Sequence, residues 1–206
     1  MNRLKKIFKL LKYQREFRAA LSTQLTVIEE GEDFALGGLT EIEEVAVVGL
    51  VKKASVYQGP ILEFGTLFGI TSKLIASVAG AGQRVITIDN FCWNPFGLPP
   101  ELHEMFTRKI LRIELGSKKL ELVVSGSDVY RATYSGEVPA MIFLDADHSY
   151  SAVKEEIQWA KSLCAPLICG HDYGNERFGV TQAVDEEFPD GVEYSGMVWW
   201  KEFVTR

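Results

Sequence analysis

The sequence predicts an α/β fold: a parallel sheet covered by helices on both faces, with an antiparallel pair of strands at its C-terminal edge. From about residue 60 to residue 188, short apolar runs alternate with stretches of helical periodicity. This alternation is typical of parallel strands joined by helices. The last stretch, VEYSGMVWWKEFV, instead has two apolar or aromatic runs around Ser195 and Gly196, which indicates a terminal hairpin.

Length and composition agree with one globular domain. The chain has 206 residues, of which 47% are hydrophobic and 24% charged. No apolar run reaches the roughly 20 residues of a membrane span, and the N-terminus lacks the features of a signal peptide, so we expect an intracellular protein. Cys92, Cys164 and Cys169 show no C-x-x-C spacing, which predicts reduced thiols without a zinc site or disulfide framework.

The charge balance disfavours nucleic acid as a partner. A net charge of -6 is the opposite of what phosphate-backbone binding requires. The segment MNRLKKIFKLLKYQREFR is a basic exception, with apolar residues at helical spacing. It predicts an amphipathic helix that contacts an anionic membrane surface or, alternatively, packs on its own domain or on a second copy of the chain.

The segment GGLTEIEEVAVVGLVKKAS predicts the first helix of the ordered core. Thr40 and Glu43 form the pattern of a capping box. Its apolar face is expected at Ile42, Val45, Ala46 and Leu50. The elements expected after it are strand ILEFG, helix 71–79, strand RVITID, helix 101–113, strands LELVVSG and AMIFLD, helix 151–163, strand PLICG and helix 180–188.

The first strand runs into a glycine turn. The segment LEFGTLFGITS has the pattern E-x-G-x-x-x-G, with Glu63, Gly65 and Gly69, and a helix follows. Ligands of open α/β sheets bind outside the carboxyl ends of the strands, and glycines let the backbone approach them closely. The pattern differs from both the G-x-G-x-x-G of dinucleotide enzymes and the phosphate-binding loop. A tight turn without a ligand is the alternative.

The second and third strands end in residues suited to a nucleoside. Asp89 ends the strand of VITIDN, twenty residues after Gly69, where a carboxylate can accept both ribose hydroxyls. A helix cap or turn residue is an equal alternative. Ser127 and Asp128 in VVSGSDVY could hydrogen-bond to an adenine edge, although Gly-Ser-Asp is also common in turns.

The fourth and fifth strands end in acids and histidines. MIFLDADHSY carries Asp145, Asp147 and His148, and LICGHDYGN carries His171 and Asp172. Asp147 fits best as a first-turn acid beside a helix dipole. His148 suits proton transfer near neutral pH, although it could also cap the following helix or lie exposed.

Taken together, these segments resemble the class I S-adenosylmethionine-dependent methyltransferases over about residues 60–190. The nearest branch is that of the small-molecule O-methyltransferases of macrolide sugars and cephalosporins, with D-x-x-H-x-Y and [HED]-D-Y motifs. The resemblance implies a Rossmann-like domain over 1–206, with an N-terminal helical cap over 1–55 and a cofactor-binding α/β core over 56–206. It also implies an enzyme that methylates a hydroxyl of a small molecule or sugar, and the absence of a signal peptide predicts that it is cytoplasmic. The cofactor contacts it implies are Glu63, Gly65, Thr66, Gly69, Ser72, Asp89, Asn90, Ser127, Asp128 and Asp145.

The resemblance also implies a divalent metal, magnesium or manganese, bound by Asp145, His171 and Asp172, and a general base at His148. Methyl transfer from a sulfonium is an in-line displacement, so an enzyme mainly positions the acceptor and removes its proton. A metal would lower the pKa of the acceptor hydroxyl. Imidazole departs from the all-oxygen shell that magnesium favours. A softer metal, a His171 that only orients Asp172, and a metal-free site in which Asp145 contacts the cofactor amino group therefore stay open.

The segment NFCWNPFGLPPELHEMF is too apolar for a linker and too broken for a strand. It predicts a lid or acceptor pocket with Trp93, Phe96 and His103 as contacts, or equally a packed loop or dimer contact. Two functions remain open: an O-methyltransferase, and a cofactor-binding module or complex subunit without catalysis. A homo-oligomer is also open. A dehydrogenase is disfavoured because its glycine spacing is absent.

Overall fold

The computed structural model describes residues 39–203. The predicted basic N-terminal helix lies outside these residues, as does the cap before residue 39. The strands are β1 (Ile61–Phe64), β2 (Val85–Asp89), β3 (Leu120–Val124), β4 (Met141–Leu144), β5 (Leu167–Gly170), β6 (Glu193–Ser195) and β7 (Val198–Glu202). The helices are α1 (Glu41–Ala54), α2 (Ile70–Val78), α3 (Pro100–Ile110), α4 (Arg112–Gly116), α5 (Ser127–Thr133), α6 (Tyr150–Ser162) and α7 (Val180–Glu187).

All seven strands form one sheet in the order β3-β2-β1-β4-β5-β7-β6. Strands β1 to β5 are parallel, whereas β7 pairs antiparallel with both β5 and β6. The predicted fold class is therefore confirmed, including the antiparallel pair at the edge. Strand β1 has β2 on one side and β4 on the other, so the strand order reverses between β1 and β4. In open α/β sheets this switch point opens the crevice that receives ligands.

Successive residues of the central strands point to two separate cores. Ile61 of β1 and Met141 of β4 belong to the core under α1 and α2. Leu62 and Ile142, one residue further along each strand, belong to the core under α6 and α7. Both faces are therefore buried, which is why these strands are continuously apolar instead of alternating.

Helix α1 begins with the predicted capping box, and of its predicted apolar face Leu50 is buried and Ala46 packs against the core, whereas the other two residues are exposed. The Thr40 N–H donates to Glu43 Oε2 at 2.7 Å, as a capping box requires. The expected apolar residues Ile42 and Val45 are 60% and 72% exposed, so that part of the prediction was wrong. The buried residues of the helix are Glu43, Val47, Leu50, Val51 and Ala54.

Two other elements depart from the predictions. The helix expected over 101–113 divides at Leu111 into α3 and α4. Helix α5 was not predicted, because the segment from Ser127 was interpreted as the end of a strand or a turn. None of its residues is buried, so it carries no apolar periodicity by which it could be recognised. Within residues 39–203, no helix combines the length and the apolar character that a membrane span needs.

Candidate active site

The glycine turn after β1 places the end of this strand directly against the end of β4. Gly65 has φ 91°, and a Cβ there would lie 1.9 Å from the Asp145 carbonyl oxygen. Its N–H donates to the Ile88 carbonyl of β2 at 2.9 Å. Gly69, with φ 81°, precedes α2 and leaves no room for a Cβ beside Leu111. Only glycine fits the backbone at Gly65, so the turn is fixed at the switch point.

The Asp89 carboxylate fixes this turn by accepting hydrogen bonds from backbone N–H groups. Oδ2 accepts the N–H groups of Thr66 and Leu67, each at 2.9 Å, and Oδ1 accepts the Phe91 N–H at 2.6 Å. Three contacts of Asp89 are therefore those of a turn residue, the alternative that the sequence left open. A carboxylate offers about four acceptor positions, so about one remains for a ribose hydroxyl.

Below the turn lies a buried polar network. The Ser72 hydroxyl donates to Glu63, and the hydroxyls of Thr66 and Thr87 lie 2.5 Å apart. Burial raises the pKa of the Glu63 carboxyl to about 8, which hydrogen bonds from Ser72 and Thr87 only partly offset. The side chains of Thr66 and Ser72 are buried, so a cofactor would meet these two residues mainly through their backbone.

The residues expected around the nucleoside lie at the ends of β2 and β3. Asn90 is exposed, and its side-chain oxygen accepts the Cys92 N–H at 2.9 Å. Ser127 is half-buried and Asp128 exposed at the start of α5. Glu156 of α6, which sequence reasoning missed, is only 1% exposed. Burial raises its pKa to about 7, although a hydrogen bond from Ser127 opposes this.

Asp145, His148 and Asp172 form a cluster where β4 and β5 end. One ligand atom from each lies within 4.8 Å of the others. His148 Nε2 is 3.3 Å from Asp145 Oδ1 and 3.5 Å from Asp172 Oδ2, yet it makes no hydrogen bond within the described residues. Two carboxylates and an imidazole with an unpartnered nitrogen fit a divalent first-row cation. The predicted ligand set differed in one member, with His171 in place of His148.

His171 lies between two carboxylates. Its Nδ1 is 3.4 Å from Asp172 Oδ2 and its Nε2 is 3.5 Å from Glu43 Oε1. Burial lowers the pKa of its imidazole, but the neighbouring Asp172, Asp145 and Glu43 outweigh burial and raise it to about 9. This geometry favours the interpretation in which His171 orients Asp172. From the sequence, Glu43 was assigned a capping role alone.

Neighbouring charged groups also shift the pKa values of His148 and Asp172. Burial lowers the pKa of His148, but the nearby Asp145 and Asp172 carboxylates raise it overall. Burial raises the pKa of Asp172, but hydrogen bonds from His171 and Asn175 outweigh burial and lower it. Asp172 therefore releases its proton more readily than an ordinary aspartic acid, and His148 binds protons more tightly than an ordinary histidine.

Two residues of the predicted lid are packing residues. His103 is fully buried, and its Nε2 lies 2.9 Å from the Leu67 carbonyl oxygen. The Phe96 ring packs against Phe68, with centroids 5.5 Å apart. Both side chains therefore agree with the alternative of a packed loop. Trp93, at 69% exposure, is the lid residue among the three that is free to meet an acceptor.

An open cleft of about 620 Å³ adjoins the cluster. The Phe178 ring lines it and packs against the His148 ring, with centroids 4.6 Å apart. Asn175 also lines it and donates to Asp172 Oδ1 at 2.9 Å. The other lining residues are polar or small: Gly174, Glu176, Thr181, Gln182, Asp185 and Glu186. The cleft therefore combines one aromatic surface with several hydrogen-bonding groups.

No protein-family model matches the chain, and no curated protein matches it either. Solved structures do match it. An O-methyltransferase from Bacillus cereus in complex with S-adenosylhomocysteine superposes with a TM-score of 0.61 and 16% identity, covering 93% of this chain and 90% of that one. This chain has the methyltransferase fold.

Two further structures share the methyltransferase fold. TomG from Streptomyces achromogenes, an O-methyltransferase involved in tomaymycin synthesis and solved with S-adenosylmethionine, has a TM-score of 0.59 and 17% identity. The match covers 88% of this chain and 87% of TomG. The TDP-rhamnose 3'-O-methyltransferase of calicheamicin biosynthesis has a TM-score of 0.61 and 12% identity, covering 88% of this chain and 92% of that one. At such identities the similarity concerns the fold.

Proposed function

We propose that the protein is an S-adenosylmethionine-dependent methyltransferase that methylates a hydroxyl group of a small molecule or sugar. One observation carries the proposal: Asp145, His148 and Asp172 cluster at the strand ends beside the glycine turn. Methyltransferase-fold neighbours support it, because they include O-methyltransferases solved with S-adenosylmethionine or S-adenosylhomocysteine. We also propose a single domain over 1–206, with the cap at 1–55 and the core at 56–206.

The cofactor would lie along the sheet edge from β1 to β3. The backbone at Gly65 and Gly69 would line its methionine part, and the remaining acceptor position of Asp89 suits a ribose hydroxyl. Ser127 and Asp128 would meet the adenine. The cofactor would supply an electrophilic methyl group on a positively charged sulfur, and Asp145 beside Gly65 would favour that positive charge.

The cluster would activate the acceptor. His148, in its neutral form, would accept the hydroxyl proton at Nε2, the nitrogen that has no hydrogen bond. A divalent cation, if bound, would be held by Asp145 and Asp172 and would lower the pKa of the acceptor hydroxyl. Nε2 of His148 cannot serve as a base and as a metal ligand at once. An imidazole ligand, from His148 or His171, favours manganese over magnesium.

The acceptor is proposed to enter through the cleft between the 174–178 loop and α7. Its volume of about 620 Å³ lies in the usual range of small-molecule sites. The Phe178 ring suits the apolar face of a sugar or an aromatic ring, and the polar groups suit hydroxyls. The free thiols of Cys92, Cys164 and Cys169 agree with a reducing compartment, and we propose the cytoplasm. Membrane contact through the basic N-terminal segment and homo-oligomerisation are further proposals.

Calorimetry with S-adenosylhomocysteine, with and without manganese, tests the cofactor first. We expect binding of S-adenosylhomocysteine and none of NADH at the same concentration. Turnover is then followed as S-adenosylhomocysteine formed with a panel of sugar nucleotides and phenols. EDTA should abolish this turnover, and manganese should restore it. A protein that does not bind S-adenosylhomocysteine would exclude the proposal, and full activity in chelator would exclude only the metal.

A further inference from the structure

We propose that Glu43 and His171 are positioning residues, which hold the Asp172 carboxylate in the cluster with Asp145 and His148. The inference rests on the proposed function, because the aim of Asp172 matters only if the cluster receives a cation. It adds helix α1, which precedes every described strand, to the elements on which the site depends.

Glu43 is buried far more completely than helix capping requires. Only 3% of the residue is exposed. Its Oε2 accepts the Thr40 N–H at 2.7 Å, which completes the cap. Its Oε1 accepts the Met197 N–H at 2.7 Å and lies 3.5 Å from His171 Nε2. The second oxygen therefore serves contacts that have no part in capping.

The turn between β6 and β7 is shaped around this carboxylate. Gly196 has φ 60°, and a Cβ there would lie 2.7 Å from both Glu43 Cγ and Oε1. A side chain at this position would displace the carboxylate. Three elements thus converge on Glu43: its own helix, the turn that donates through Met197, and the residue that follows β5.

His171 transmits this contact to Asp172. Its backbone N–H donates to the Leu144 carbonyl at 3.1 Å, which fixes it to β4. Its Nε2 faces Glu43 Oε1 at 3.5 Å without a hydrogen bond in the described part of the chain and its Nδ1 faces Asp172 Oδ2 at 3.4 Å, so the ring lies between the two carboxylates. Asp172 Oδ1 accepts a hydrogen bond from Asn175, and Oδ2 lies between His171 and His148. Both oxygens of Asp172 are therefore oriented by neighbours.

The test compares manganese binding by Glu43→Gln and Thr40→Ala in the full chain saturated with S-adenosylhomocysteine. Glutamine at this position has one acceptor oxygen in place of two, so it keeps either the capping box or the acceptor for Met197, and it loses the charge opposite His171. Free Mn(II), measured by electron paramagnetic resonance, reports affinity without any methyl acceptor. We expect Glu43→Gln to bind Mn(II) about 10-fold or more weakly, as outer-shell substitutions typically do.

Thr40→Ala is the matched control because it weakens the cap and leaves the Glu43–His171 contact in place. We expect it to lower the melting temperature while its Mn(II) affinity stays that of the wild type. Gly196→Ala is a second route to the same effect, since its Cβ would push Glu43 away from His171. It should also weaken Mn(II) binding, with S-adenosylhomocysteine affinity unchanged.

Wild-type Mn(II) affinity in both Glu43→Gln and Gly196→Ala would overturn the positioning role and leave the proposed function intact. Equal weakening in Thr40→Ala and Glu43→Gln would also overturn it, because the effect would then arise from helix stability. A wild-type protein that binds S-adenosylhomocysteine but no Mn(II) would overturn it together with the metal site. Failure to bind S-adenosylhomocysteine would instead count against the methyltransferase proposal itself.

Discussion

The two sides of the β1–β4 switch point treat their polar groups differently. On the β1–β2 side three backbone N–H groups donate to the carboxylate of Asp89, and short hydrogen bonds join the buried hydroxyls below it, although Glu63 Oε1 has no partner in residues 39–203. On the β4–β5 side, His148 Nε2 lies 3.3 and 3.5 Å from two carboxylate oxygens and makes no hydrogen bond within the described residues. The side chains compared are Glu63, Thr66, Ser72, Thr87 and Asp89 on one side, and Asp145, His148, His171 and Asp172 on the other.

This difference in hydrogen bonding indicates that the β1–β2 side fixes the backbone and that the β4–β5 side is able to bind a further group. A buried polar atom without a partner costs free energy, so proteins leave few of them, often at functional positions. The three hydrogen bonds to Asp89 on the β1–β2 side fix the backbone that would face a cofactor. On the β4–β5 side, His148 Nε2 lacks a hydrogen bond among the described residues and faces two carboxylates, an arrangement suited to gain a partner, either a cation or the proton of an acceptor.

His148→Ala should have the largest effect. We expect kcat to fall by roughly 100- to 10,000-fold, the usual contribution of a positioned base, with S-adenosylhomocysteine affinity nearly unchanged. Because the base must be neutral, the wild-type pH–rate profile should have an ascending limb, and without a cation the carboxylates of Asp145 and Asp172 raise the pKa of His148. The variant should lack this limb. Steady-state kinetics at several pH values, with calorimetry for the cofactor, provide the measurement.

His171→Ala is the comparison for this variant. A ligand or positioning role predicts a higher manganese concentration for half-maximal activity, with much of the rate recovered at saturating metal. Normal kcat in His148→Ala together with an irrecoverable loss in His171→Ala would reverse the two roles.

We expect the buried Glu63 to change the free energy of unfolding by a few kcal/mol across its titration, at about 1.4 kcal/mol per pKa unit. Its folded pKa of about 8 exceeds its ordinary value of 4.5, so the folded state keeps a proton that the unfolded state releases. This stabilisation is complete below pH 4.5 and is lost as the pH rises through about 8. Glu63→Gln does not titrate and should lose less stability between pH 5 and pH 9 than the wild type does.

Denaturant unfolding at several pH values measures the Glu63 effect. The exposed Glu121→Gln provides the control, because the same change of atoms there should leave the pH dependence unaltered. Identical pH dependence in Glu63→Gln and the wild type would show that Glu63 is ionised in the folded protein.

Asp89→Ala should weaken S-adenosylhomocysteine binding by about 1–3 kcal/mol, the usual loss for hydrogen bonds to a charged group. It should also lower stability, because the Thr66, Leu67 and Phe91 N–H groups lose their acceptor. Calorimetry and thermal unfolding separate the two effects, with the exposed Asp190→Ala as control. Lower stability with unchanged affinity would assign Asp89 to the turn alone.

Phe178→Ala tests the cleft and should have the smallest effect. Loss of the ring that packs on His148 should cost about 0.5–1.5 kcal/mol, seen mainly as a higher KM for the acceptor. Phe203→Ala, at a partly exposed aromatic that packs on Phe188, should leave KM unchanged. Unchanged KM in both variants would place the acceptor outside this cleft.

Local sequence patterns determined the fold and the candidate residues. Continuous apolar runs and glycine signals depend on neighbours in the chain, and they predicted five parallel strands, the hairpin around Gly196 and the capping box of α1. Because parallel strands present their carboxyl ends at one edge, the same patterns predicted that Gly65, Asp89, Asp145 and Asp172 would lie together. Helix α5 was not predicted because none of its residues is buried, so the sequence shows no apolar periodicity there.

The partners of each polar group were decided only by the tertiary structure. Glu43 meets Met197 and His171 across more than a hundred residues of sequence, and no local period encodes that distance. The buried face of α1 followed the same contact, since the helix turns Glu43 inward and leaves Ile42 and Val45 exposed. The choice between His148 and His171 beside Asp145 likewise depends on distances of 3.3–3.5 Å between side chains. Such distances are set by packing, whereas sequence spacing fixes only the strand end at which a residue lies.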